Sequence, residues 1–124
     1  MSGVALLYTA STVITIWGVA HVLPTRPVIA GFEPLTPDNR RVLTMEWVAE
    51  GMTLCFIGIL TLLATLLLES GAPGATLVYR ASAGMLLVMA AWTLATGART
   101  AVVMFKICPM VKTGVAALLL AGSI

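Results

Sequence analysis

Charge is what this sequence has least of. Asp, Glu, Lys and Arg together make up 10% of its 124 residues, where a soluble domain carries about a quarter. That shortage of polar side chains excludes an ordinary water-facing globular fold. The chain has one histidine and two cysteines. A lone His cannot supply both axial ligands of a haem, and no His/Cys grouping has zinc-ligand spacing, so no metal and no cofactor is expected. Cys55 and Cys108 form no Cys-x-x-Cys pair and are expected at different depths, so both read as small buried hydrophobes rather than redox thiols. Phosphate-binding loop, dinucleotide glycine fingerprint and nucleophile motif are all missing. A net charge of +2 is too small to mark a nucleic-acid surface, and no nucleic-acid partner is expected.

Apolar length is what the chain has instead. Hydrophobic residues make up 60% of it, and the mean hydropathy is +1.05. Met1 to Thr25 contains no charged residue, and Gly51–Leu68 and Ala81–Ala98 each run 18 residues without one. Runs of that length reach the threshold for crossing a hydrocarbon layer of about 30 Å. A fourth span cannot fit in the 12 residues after Lys112. It must start near Ala101 and take Lys106, Pro109 and Lys112 into or near the membrane. Strands would need a closed barrel with alternating segments, which the sequence lacks. The fold expected is all-α, an integral membrane four-helix bundle forming a single domain over 1–124. Its helices are predicted at about 3–23, 42–69, 77–97 and 101–123.

Local signals support those limits. Four prolines between Pro24 and Pro37 punctuate the first connection, Pro37-Asp38-Asn39 offers a cap before the second helix, and Ser70-Gly71-Ala72-Pro73-Gly74 is a turn. The first segment has no basic leader and no small-residue cleavage site, so it reads as a retained helix rather than a signal peptide. Pro109 removes the hydrogen bond to the Phe105 carbonyl and predicts a kink, with Lys106 and Lys112 on either side snorkelling to headgroups.

Basic residues orient the bundle. Arg26, Arg40, Arg41, Arg99, Lys106 and Lys112 fall on one face and only Arg80 on the other. Basic connections stay in the cytoplasm, so a multi-pass cell-membrane protein with both termini outside is expected.

Polar groups inside the spans carry the functional signal. Glu46 and Glu50 are one helical turn apart and lead into Thr53, Thr61 and Thr65. Ser11, Thr15 and Gly18 run toward His21 on the first helix. Ser82, Met85, Met89, Trp92, Thr96 and Arg99 share a predicted face on the third. His21, Glu46, Glu50, Arg99 and Lys106 should therefore converge at the cytoplasmic end. A charged side chain at the bilayer centre costs roughly 2.5–3.5 kcal/mol on insertion scales, so such groups pair or face water. One reading makes Glu46 and Glu50, with His21, acid/base groups of a cytoplasm-facing pocket whose ligand is held by Arg99, Lys106, Trp92 and Arg41. The blander reading pairs the two glutamates with Arg99, Lys106 or the Arg40–Arg41 doublet, locking helix ends together.

The second helix, with Glu46-Trp47-Val48-Ala49-Glu50-Gly51 leading into Gly58-Ile59-Leu60, resembles the acidic-then-glycine second helix of DoxX-like small four-helix membrane proteins. The resemblance covers about 20 residues and implies the fold, with Glu46 and Glu50 as positions to test. Three functions follow as expectations. The first is binding of, and acid/base chemistry on, an amphipathic small molecule or lipid. The second is an accessory or oligomeric subunit of a larger membrane complex, and the third a small proton-coupled transporter. The partners expected are membrane lipid, a lipophilic small molecule and either a second copy or a larger complex.

Overall fold

A computed structural model describes residues 2–69 and 71–124. Among them the chain is helical without strands: α1 (Gly3–Val22), α2 (Thr25–Ala30), α3 (Pro37–Leu67), α4 (Pro73–Ala95) and α5 (Val103–Gly122), with a 3-10 turn at Gly97–Arg99 before α5. α1, α3, α4 with its following turn, and α5 are each long and apolar enough to cross a membrane. The protein is an all-α four-helix bundle of the membrane type.

Caps and prolines set the helix limits. Ser2 Oγ accepts from the Ala5 amide at 3.3 Å and starts α1. Thr36 Oγ1 accepts from the Asn39 amide at 3.2 Å, so Pro37 is the first residue of α3 rather than part of its cap. Proline also opens α4, where its missing N–H costs no hydrogen bond. α3 and α4 consequently begin about a turn earlier than the apolar runs predict. Its 31 residues make α3 about 46 Å long, well beyond the hydrocarbon thickness, so its charged start projects from the membrane. The first connection also folds into α2, a single short helix that tucks Ile29 under the bundle. α5 runs through Pro109 from Val103 to Gly122 without a break.

α1 and α3 make the closest pair, followed by α4 with α5 and α1 with α5; α3 and α4 pack least of the four neighbouring pairs. Close approach of α1 to α3 depends on glycine. A methyl at Gly18 would lie 2.6 Å from Cys55 Sγ and 2.8 Å from the Cys55 amide and the Gly51 carbonyl. Ser11 and Thr61 exchange a hydroxyl hydrogen bond of 2.9 Å across the same seam. Small residues thus allow backbone contact where lipid offers no hydrophobic drive between helices. Gly3 lies against the Gly122 carbonyl, so both ends of the chain share one end of the bundle. Near that end, Thr65 Oγ1 and Tyr79 OH, 3.1 Å apart, tie α3 to α4.

Two predicted faces rotate by one residue. On α3 the buried member near the basic end is Trp47, while Glu46 is exposed. On α4 it is Thr93, while Trp92 is 72% exposed. The buried stripes run through Trp47, Gly51 and Leu54 on α3 and through Ala83, Leu86, Ala90 and Thr93 on α4, one residue round from the polar positions counted along the sequence.

Candidate functional site

Lys112 is the tenth of the 20 residues of α5, about 15 Å of helix from either end. Its side chain is completely enclosed. An ammonium at that depth requires a partner, and it has two. Nζ donates to Glu50 Oε1 on α3 in an ion pair and to Thr93 Oγ1 on α4 at 3.1 Å. Thr93 passes its own hydroxyl proton to the Met89 carbonyl at 2.8 Å. The lysine thereby fastens α5 to its neighbour α4 and, across the bundle, to α3, with a charge-assisted hydrogen bond among its contacts.

Glu50 stands at the centre. Its Oε2 lies 3.8 Å from His21 Nε2, within ion-pair range but too far for a direct hydrogen bond. The Cys108 thiol donates to Oε1 at 3.9 Å, and Trp17 Nε1 donates to Cys108 Sγ at 3.4 Å. His21 lies in the last turn of α1, its side chain wholly buried, with neither ring nitrogen hydrogen-bonded among the described residues. Its ring stacks on Trp47 with centroids 4.0 Å apart and planes at 17°. Trp47 Nε1 in turn donates to the His21 carbonyl at 2.8 Å. Phe105 meets the far edge of Trp47 at 5.5 Å, so aromatic packing fixes the imidazole beside the carboxylate.

Glu50 is not sealed in. Its side chain keeps 26% exposure and forms part of a cavity of about 350 Å³ lined by Glu46, Ala49, Glu50 and Thr53 of α3, Met89, Trp92 and Thr93 of α4, and Lys112. The cavity occupies the seam between α3 and α4, the least closely packed of the neighbouring pairs. Glycine governs the geometry from behind: a methyl at Gly51 would crowd the Gly18 carbonyl at 3.1 Å and the His21 ring at 3.4 Å.

The structure sorts the residues singled out from sequence. His21 and Glu50 meet directly, and Glu46 and Trp92 share the cavity with Glu50. Arg41, Arg99 and Lys106 are exposed and do not line it. Arg41 faces Asp38 one turn away at 3.4 Å, both side chains in the open. Arg40 pairs with Glu33 of the first connection. The expected pairing of Glu50 with Arg99, Lys106 or the arginine doublet is therefore corrected to Lys112, and Lys112 does not snorkel to headgroups. Snorkelling fails because Lys112 sits too deep and faces the bundle, where a carboxylate is nearer than either interface. Cys108 is buried as expected, but it also accepts from Trp17 and donates to Glu50, and the half-buried Cys55 donates to the Thr15 carbonyl at 3.7 Å. Thr93, Trp47, Cys108 and Lys112 were not read as site residues. Only Lys112 carried a signal: it is a basic residue halfway along an apolar helix.

Family models, curated proteins and solved structures were compared with the chain, and none matches.

Proposed function

We propose that this small polytopic membrane protein binds an amphipathic small molecule or lipid in the α3–α4 cleft, with the polar head against Glu50. One observation carries the reading. The Glu50 carboxylate, anchored by an enclosed lysine, forms the wall of a cavity rather than disappearing into its ion pair. A volume of about 350 Å³ suits small-molecule sites, which span roughly 300–1,000 Å³. The loosely packed α3–α4 seam suits a ligand arriving sideways from the bilayer. His21, close to Oε2, is the group with which Glu50 would exchange a proton in acid/base chemistry on a bound head. In this reading the cleft opens on the cytoplasmic side, which the bias of basic residues toward that end supports. Kinship with DoxX-like proteins belongs to the same proposal, resting on Glu46 and Glu50 ahead of Gly58.

Native mass spectrometry of protein released from its own membrane tests the proposal. Wild type is expected to retain a lipophilic molecule of defined mass, with at least tenfold lower occupancy in Glu50→Gln. Glu46→Gln is run beside it, because Glu46 makes no ion pair among the described residues and its loss leaves no buried charge. Identical adducts in all three samples, or a bound protein in place of a small molecule, would sink the ligand site and favour the accessory-subunit reading.

A further inference from the structure

The chemistry of the cleft wall is one-sided. Two carboxylates line it, Glu46 and Glu50, against one cation, Lys112. That cation is fully enclosed and committed to Glu50 and Thr93. Both threonine hydroxyls of the wall are spent inward: Thr53 donates to the Ala49 carbonyl at 2.8 Å and Thr93 to the Met89 carbonyl at 2.8 Å. The wall therefore offers acceptors and a net negative charge, and among the described residues its one uncommitted side-chain donor is the neutral Trp92 indole N–H. Arg99 and Lys106, which would welcome an anion, are absent from the lining. The same wall carries the Trp92 indole, 72% exposed. A carboxylate pair beside an open aromatic face is the arrangement that holds alkylammonium groups, the ring quadrupole and the charges acting together.

We infer that the α3–α4 cleft selects a cationic head, a substituted ammonium on a lipophilic tail. This rests on the cleft reading above and names its ligand class. Two sources offer that chemistry: a free amphipathic amine, or the ammonium of a phospholipid headgroup.

Saturable binding of tritiated dodecyltrimethylammonium to the full chain in phosphatidylglycerol nanodiscs tests the inference. The competitor is its uncharged carbon isostere, 2,2-dimethyltetradecane. Competition by the isostere is expected to be at least tenfold weaker than by unlabelled probe. Glu46→Gln is expected to weaken probe binding several-fold and Trp92→Ala likewise, neither removing a buried partner. Ala49→Trp, which fills the cleft, is expected to abolish binding. Suppression of probe binding in phosphatidylcholine nanodiscs would support the lipid source, and unchanged binding there the free amine. Equal competition by the isostere, with Glu46→Gln unchanged and Ala49→Trp still blocking, overturns the ammonium claim and leaves the cleft standing. Binding that survives Ala49→Trp, or no saturable binding, overturns the inference, and a site that survives filling of the cleft removes the cleft reading with it.

Discussion

Glu50 and Lys112 share an ion pair but not an environment. Lys112 is shut off from every side, whereas a quarter of the Glu50 side chain opens on the cleft. Removing one member of a buried pair costs roughly 3–5 kcal/mol, chiefly through the charge left behind. The two single substitutions should consequently differ. Glu50→Gln leaves an enclosed ammonium and should fall within that range. Lys112→Met leaves a carboxylate able to turn toward the cleft and should cost less. The double variant Glu50→Met/Lys112→Met strands no charge and should regain most of the loss. Thermal unfolding of the four proteins in one detergent measures this order, and equal losses in the two single variants would show that exposure of Glu50 to the cleft is immaterial.

The glycines divide by element. Gly18 sits where α1 touches the backbone of α3, and a methyl there would meet three atoms within 2.8 Å, two of them backbone. Overpacking of this kind costs about 1–3 kcal/mol, and it would also move His21 away from Glu50. Gly114 on α5 has nothing within 4 Å of an added methyl. Gly18→Ala should therefore lower the unfolding temperature and weaken ligand retention together, while Gly114→Ala should change neither. A harmless Gly18→Ala would mean that α1 and α3 do not approach as closely as described. Glu46 and Trp92 line the cleft, whereas Trp47 and Thr93, one residue further along each helix, occupy the buried stripe.

For the whole molecule, the ends carry unequal charge. With Lys112 moved into the core, five basic residues remain beside the two connections at one end: Arg26, Arg40, Arg41, Arg99 and Lys106. Arg80 alone lies toward the other. The bias thus survives the correction, and basic connections are held in the cytoplasm. Reporter fusions after Ile124 should show activity characteristic of the outer face, with alkaline phosphatase active and green fluorescent protein dark. The reverse pattern would invert the bundle and place the Glu50 cleft in the outer half of the membrane.

Four spans and their helical nature were determined by sequence alone. Apolar length and the need to satisfy every backbone group in lipid leave few alternatives. His21 and Glu50 were also legible as neighbours, since one closes a span at the depth where the other begins. The partner of Glu50 was not. Lys106 and Lys112 both lie on α5, and the rotation of that helix about its axis decides which of them faces inward. That rotation follows from packing Val115, Ala116 and Leu119 into the common core, an interaction among four helices that no single segment encodes. The opening between α3 and α4 was likewise settled by tertiary structure, because a cleft is a contact left unmade and has no pattern of its own along the chain.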